Sequence, residues 1–118
     1  MRTYVSVDGG MGDNIRPALY QARHEAVLAS DITAPKRRRV TISGKYCESG
    51  DILIDGIEMP ELKMGDLVAV AGCGAYCVPM QSNYNASLRP AIVMVADGKA
   101  RLIRRRETLE DLIKCDTV

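Results

Sequence analysis

Short runs in which apolar and polar residues alternate recur along the chain and predict a mainly β protein. The runs are rich in Val and Ile, and turn-forming Gly, Asp or Ser residues separate most of them. Asp97-Gly98, between the last two runs, is a strong hairpin signal. Short strands at this spacing are typical of a β-sandwich or small barrel. The predicted strands are residues 3–7, 40–43, 52–54, 67–71, 91–95 and 99–104.

Two segments predict short helices. Pro17 suits the first turn of a helix near residues 15–21. A Thr-x-x-Asp capping pattern followed by apolar residues at helical spacing predicts a second helix near residues 107–114. Residues 24–29 fit either a continuation of the first helix or a strand, and Asp55-Gly56 is expected to end the strand that starts at residue 52.

Composition narrows the class of protein. A chain of 118 residues is one domain by size, and 47 % hydrophobic with 26 % charged residues is an ordinary globular balance. Sixteen basic and fifteen acidic residues give a net charge of +1, which indicates neither a nucleic-acid partner nor a membrane partner. No apolar run approaches the roughly 20 residues of a membrane span. No secretion signal is seen, so we expect reduced thiols and a cytoplasmic location.

Four cysteines and one histidine do not make a closed metal site. Cys73 and Cys77 are four residues apart, but the chain has no second close pair of cysteines to complete a zinc centre. We therefore expect no metal site, and we assign no role to Cys73, Cys77 or Cys115.

Three short stretches contain residues suited to binding or acid–base chemistry. Arg16 and Tyr20 share a face if their segment is helical, and together they suit a carboxylate or phosphate. Cys47-Glu48 places a thiol beside a carboxylate at a Gly turn, a pair able to donate a proton and hold a cation. Tyr76 follows small residues that let a ligand approach the backbone. Taken singly, each stretch fits an ordinary packed or solvated side chain better.

Five stretches in this order resemble the C-terminal part of the diaminopimelate decarboxylases. These are pyridoxal-phosphate-dependent enzymes of the alanine racemase and ornithine decarboxylase type. The resemblance runs from about residue 5 to residue 111. Five motifs in the same order outweigh the interpretation of each stretch, taken singly, as ordinary packed or solvated side chains. The stretches are Val7-Asp-Gly-Gly-Met-Gly-Asp-Asn-Ile-Arg-Pro-Ala-Leu-Tyr20, Cys47-Glu-Ser-Gly-Asp51, Gly74-Ala-Tyr76, Ser82-Asn-Tyr-Asn85 and Arg104-Arg-Arg-Glu-Thr108.

The resemblance implies a two-domain enzyme of which this chain is one part. Residues 1–118 would form the C-terminal Greek-key β-barrel or sandwich domain, with residues 1–20 at the junction with an N-terminal TIM-barrel domain. The cofactor, pyridoxal 5'-phosphate, would be held by a Schiff-base lysine of that upstream domain. Because the chain lacks that lysine, we expect it to be inactive alone.

The resemblance also implies roles for five residues. Arg16 and Tyr20 would bind the distal end of meso-diaminopimelate, with Arg16 on the carboxylate, and Glu48 would hold the distal ammonium. Cys47 would be the catalytic proton donor to the α-carbon. Tyr76 would contact both the cofactor and the substrate.

The implied reaction is decarboxylation of meso-diaminopimelate to L-lysine by a homodimer, with the Cys47-Glu48 loop donated across the interface. Two alternatives stay open. The chain could belong to a related decarboxylase acting on ornithine, arginine or carboxynorspermidine, or it could be a free-standing, non-catalytic β-domain. The paired Arg-Pro-Ala-Leu-Tyr and Cys-Glu-Ser-Gly-Asp stretches favour diaminopimelate.

Overall fold

The computed structural model describes residues 2–117 and consists mainly of short strands. A single 3₁₀ turn lies at Tyr84–Ala86. The helices and strands, in chain order, are β1 (Tyr4–Ser6), α1 (Arg16–Tyr20), β2 (Ala26–Leu28), β3 (Arg38–Ser43), β4 (Ile52–Met59), β5 (Val68–Val70), α2 (Cys77–Met80), β6 (Ile92–Ala96), β7 (Lys99–Arg104) and α3 (Leu109–Ile113).

The strands pair as three separate sheets. The largest has the order β1-β3-β4, with β1 parallel and β4 antiparallel to β3. The other two are the antiparallel pairs β2-β5 and β6-β7. The mainly β fold and the two predicted helices are therefore confirmed, while the strands within residues 2–117 do not close into a barrel. The undecided segment 24–29 contains strand β2.

The core forms around the β3-β4 pair and is aliphatic. Ile42 and Met59 are fully buried, and Ala26 of β2 packs against them. The remaining buried members of this cluster are Val40, Leu53 and Ile54. A three-stranded sheet thus provides the rigid base from which the loops toward α1 and between β3 and β4 extend.

The expectation that Asp55-Gly56 ends a strand is wrong. Strand β4 continues to Met59, because the two residues form a bulge rather than a turn. The register shifts by one residue between the pairs Val40–Ile57 and Ile42–Ile54. Gly56 has φ +73°, the left-handed conformation that a bulge glycine adopts without strain.

The C-terminal part of the chain follows the sequence pattern closely. Asp97 and Gly98 both have positive φ, as a two-residue hairpin turn requires, and they join β6 to β7. The carboxylate of Asp111 accepts the backbone N–H of Thr108 at 2.9 Å, which caps α3. Across residues 2–117, every helix is too short or too polar to cross a bilayer.

Candidate functional site

Arg16 lies between two tyrosine rings. Its guanidinium carbon is 5.4 Å from the ring centroid of Tyr20 and 5.2 Å from that of Tyr76. Helix α1 brings Tyr20 to Arg16 because residues four apart share a helix face. Tyr76 comes from the turn before α2 and is 70 % exposed. Cation–π contact with the two rings holds the Arg16 guanidinium in place.

The guanidinium of Arg16 makes no hydrogen bond or ion pair with any residue between 2 and 117. An arginine fork that is oriented by aromatic rings and has no acceptor suits bidentate binding of a carboxylate or phosphate. The phenol groups of Tyr20 and Tyr76 lie beside it and can add hydrogen bonds to the same ligand. The three residues therefore form a cluster whose chemistry suits an anion.

Asn14, only 6 % exposed, links the start of α1 to the segment that carries Tyr76. Its Oδ1 accepts the Arg16 backbone N–H at 3.2 Å and the Cys77 thiol at 3.1 Å. Its Nδ2 donates to the Cys73 sulfur at 3.4 Å and lies 3.2 Å from Nε2 of His24. A buried amide with four such neighbours fixes where Arg16 and Tyr76 meet.

Burial raises the pKa of the Cys73 thiol, with the neighbouring Cys77 thiol as the next cause. A raised pKa keeps this group protonated and unreactive at neutral pH. His24 is engaged by the carbonyl of Ala71, which lies 3.1 Å from its Nδ1. Throughout residues 2–117, His, Cys, Asp and Glu side chains form no cluster of three or more able to hold a metal ion.

Cys47 and Glu48 lie on a different loop, between β3 and β4, and both are exposed. The Glu48 carboxylate accepts the Gly50 N–H at 3.1 Å and the Ser49 hydroxyl at 3.3 Å. Among the hydrogen bonds and ion pairs of residues 2–117, none connects this loop to the Arg16 cluster. The structure thus brings together three of the five predicted residues and leaves the other two on a separate surface loop.

The two remaining motifs, residues 82–85 and 104–108, are connected to the loop of Cys47 and not to the Arg16 cluster. Glu107 accepts hydrogen bonds from Asn83 Nδ2 at 2.6 Å and from the Arg89 backbone N–H at 2.8 Å. These contacts, first of all the Arg89 N–H, lower the pKa of Glu107. Next to Asn83, the Tyr84 ring meets the Tyr46 ring edge-on at 5.3 Å. Tyr46 directly precedes Cys47, so the contact between the two tyrosine rings connects this network to the loop of Cys47.

A groove of about 750 Å³ lies between α1 and β4. Its lining includes Pro17, Arg39 and Asp55 but none of the five predicted site residues. Tyr20, Cys47, Glu48 and Tyr76 are exposed and Arg16 is half-buried, as expected for a site that another domain or subunit closes.

Sequence reasoning missed the residues that position the cluster. In the sequence analysis, Asn14 and Asp51 occur only as members of two of the five quoted stretches, without a role of their own. The contact of Asp51 with Met11 spans 40 residues and that of Asn14 with Cys77 spans 63, and no local pattern reveals such contacts. A polar residue inside a recognised motif but without an assigned role was the available signal.

Comparison with known proteins identifies the family of this chain. The model of the pyridoxal-dependent decarboxylase C-terminal sheet domain matches residues 1–74. The chain belongs to this family. Its members supply the sheet domain of larger enzymes, which agrees with a site left open on the surface of one domain.

Curated relatives match almost the whole chain. The diaminopimelate decarboxylase of Bacillus subtilis is 55 % identical over 116 residues, covering 98 % of this chain and 26 % of the relative. That of Corynebacterium efficiens is 50 % identical over the same length, covering 98 % of this chain and 25 % of the relative. The chain therefore spans about a quarter of the length of the curated relatives that it matches.

Solved structures agree with this assignment. The diaminopimelate decarboxylase of M. jannaschii superposes with a TM-score of 0.89 at 38 % identity, covering 98 % of this chain and 26 % of that one. The Helicobacter pylori enzyme, solved with L-lysine, gives a TM-score of 0.86 at 38 % identity, with coverage of 96 % and 28 %.

Proposed function

We propose that this chain is the C-terminal β-domain of a diaminopimelate decarboxylase, a carboxy-lyase that converts meso-diaminopimelate to L-lysine. Residues 1–118 make up that domain, and residues 1–20 lead into it from an N-terminal barrel domain. The observation that carries the proposal is Arg16, held between Tyr20 and Tyr76 with no acceptor among residues 2–117. Arg16 is placed to bind the second carboxylate that distinguishes diaminopimelate from lysine or ornithine.

The side chains present fit one side of a pyridoxal phosphate site. Tyr76 offers an exposed phenol ring and hydroxyl, and Arg16 beside it keeps the surroundings cationic. Tyr76 is accordingly the residue of this chain that contacts the cofactor, and the barrel domain holds the remainder. When bound, the cofactor acts as the electron sink for loss of carbon dioxide.

The distal end of the substrate carries both a carboxylate and an ammonium group, so it needs one cation and one anion. Arg16 and Tyr20 bind the carboxylate, and Glu48 binds the ammonium. Each charged partner rejects substrates that lack its group, because a desolvated ion without a counter-charge is costly. Selectivity for meso-diaminopimelate therefore rests on these residues.

Cys47 acts as the proton donor. After carbon dioxide leaves, the α-carbon needs one proton to become that of L-lysine, and a thiol beside it can supply that proton. Cys47 is exposed on its loop and lies in a turn with Glu48. The residue that protonates the reacting carbon and the residue that holds the far end of the substrate thus lie side by side on one loop.

The enzyme is a homodimer with shared sites. In one chain, no hydrogen bond or ion pair among residues 2–117 connects Glu48 to the Arg16 cluster. In the proposed dimer, a substrate that touches both groups is held by the Arg16 cluster of one copy and the Cys47-Glu48 loop of the other. Nucleic acid and membrane play no part in this activity, and the enzyme works in the cytoplasm.

A fusion enzyme tests the proposal. This chain replaces the corresponding region behind the barrel domain of the Bacillus subtilis relative, and lysine formation from meso-diaminopimelate is followed with pyridoxal phosphate present. We expect activity, and a loss of at least about a hundredfold in kcat for Cys47→Ala. Glu48→Ala should mainly raise KM. Cys115→Ala, an exposed cysteine without a proposed role, is the matched control and should behave as the parent.

The other outcomes are equally specific. Faster turnover of ornithine, arginine or carboxynorspermidine than of meso-diaminopimelate would assign the chain to a related decarboxylase. A folded fusion that binds the cofactor yet releases no carbon dioxide from any of these substrates would favour a non-catalytic binding domain.

A further inference from the structure

Asp51 is a buried carboxylate without a cation. It is only 2 % exposed, and across residues 2–117 it forms no ion pair. Its Oδ1 accepts the Met11 backbone N–H at 2.7 Å, and its Oδ2 accepts the Tyr46 backbone N–H at 2.8 Å. Burying a charge is costly unless strong hydrogen bonds replace its hydration, and here two short bonds to backbone groups do so.

The two N–H donors belong to the two loops that carry the proposed site. Met11 lies in the arginine loop, residues 8–14, which leads into α1 and Arg16. Tyr46 lies in the cysteine loop, residues 44–50, which carries Cys47 and Glu48. Met11 is 40 residues from Asp51, so this contact is the longer-range of the two.

Glycines leave room for this carboxylate on both sides. A Cβ on Gly44 would collide with both oxygens of Asp51, and a Cβ on Gly10 would lie 2.9 Å from Oδ1. The Tyr46 ring also packs against Gly10 and Gly12, where a Cβ would meet the ring or its hydroxyl. The loops are therefore closely packed around one charged group, and little else fits between them.

We propose that Asp51 is a positioning residue that ties the arginine loop to the cysteine loop. The inference rests on the proposed function, because it assigns the tie a role in holding Arg16, Cys47 and Glu48. In the proposed dimer, the two loops of one chain serve different sites. Asp51 of one chain therefore positions Arg16 in one site and Cys47 and Glu48 in the other.

Hydrogen exchange in the fusion enzyme tests, independently of activity, whether Asp51 connects the arginine loop to the cysteine loop. Asp51→Ala removes both acceptors, so amide exchange should rise about tenfold in both loops while exchange in the β6-β7 hairpin stays unchanged. Asp51→Asn keeps the size and one acceptor, and should give a smaller rise. Asp66→Asn is the matched control, because its carboxylate accepts one backbone N–H, that of Lys63, in an exposed turn.

Three results would overturn the tie. The first is faster exchange in only one loop with Asp51→Ala, the second is equally faster exchange in the hairpin, and the third is failure of both Asp51 variants to fold. The last two results would give Asp51 a general structural role rather than a local one.

Mixed dimers test the positioning role. Arg16→Ala mixed with Cys47→Ala should recover about a quarter of the parent rate, because half the dimers are mixed and each keeps one intact site. Asp51→Ala should lower kcat/KM about a hundredfold by displacing reacting groups, and mixing it with either variant should recover nothing. Recovery with Arg16→Ala would confine Asp51 to the cysteine loop and overturn the proposal. Failure of the first mixture would reject the shared site, while the exchange result still decides the tie.

Discussion

Arg16 shows how much a single residue depends on its neighbours. Its guanidinium is stacked by Tyr20 and Tyr76, and its backbone N–H is held by Asn14. The stacking orients a planar fork before any ligand arrives, which reduces the entropy lost on binding. Charge alone does not explain the arrangement, because the chain has other exposed basic side chains without aromatic neighbours.

Arg16→Lys separates charge from geometry. Lysine keeps the positive charge but loses the bidentate fork and the stacking, so we expect KM for meso-diaminopimelate to rise about tenfold to a hundredfold with little change in kcat. Steady-state kinetics of the fusion enzyme provide the measurement. Arg101→Lys, an exposed residue of β7, is the matched control. A fall in kcat at unchanged KM would show that Arg16 acts at the reacting carbon instead.

The sequence offers candidate site residues but not the residues that position them. Helical spacing places Tyr20 beside Arg16, whereas the small residues before Tyr76 mark it as a candidate without showing that it meets Arg16. Asn14 and Asp51 were not predicted, because their side chains bond to partners far along the chain. Local periodicity reports which face a residue occupies, but not which distant backbone group it will meet.

The segments 82–87 and 104–108 act together as one support. Glu107 joins them by accepting from Asn83 and Arg89, and its carboxylate lies 3.2 Å from the Arg89 guanidinium. The lowered pKa of Glu107 means that the folded state keeps it ionised at lower pH than the unfolded chain does. Its contribution to stability is complete above its ordinary pKa of 4.5 and is lost as pH falls through the lowered folded-state value.

Glu107→Gln should therefore change how the melting temperature depends on pH in the acidic range. We expect a melting temperature a few degrees lower at neutral pH, and a difference from the parent that shrinks below about pH 4. Thermal melts at several pH values check this. Glu61→Gln removes an exposed ion pair with Arg38 and should leave the profile close to that of the parent. A difference that stays constant with pH would contradict a role for the charge.

Among the secondary-structure elements, the regular strands were predictable and the irregular ones were not. The hairpin β6-β7 was expected almost to the residue, since its turn and both strands are encoded locally. Strand β4 was predicted too short because Gly56 can mark either a turn or a bulge. Strand β2 was undecided from sequence, and its pairing with β5, more than 40 residues later, makes it a strand.

The arrangement of the whole molecule points to a composite site. The Arg16 cluster and the Cys47-Glu48 loop lie on the same small domain, yet none of the hydrogen bonds or ion pairs among residues 2–117 connects them. Each is open to solvent and incomplete as a binding site. A second copy related by a twofold axis can complete both sites at once, because the contact that brings one loop to its partner also brings the other.

Activity of the fusion enzyme should therefore depend on its concentration. As the enzyme is diluted through the dissociation constant of the dimer, lysine formed per chain should fall toward zero, since the proposed site needs residues of both copies. Sedimentation over the same range should show the loss of dimer at the same concentration. Pre-mixing diluted enzyme with an excess of the inactive Cys47→Ala variant should restore activity, because that variant supplies an intact Arg16 cluster. Full activity per chain in a sedimenting monomer would place all five residues in one subunit and require the Cys47-Glu48 loop to move.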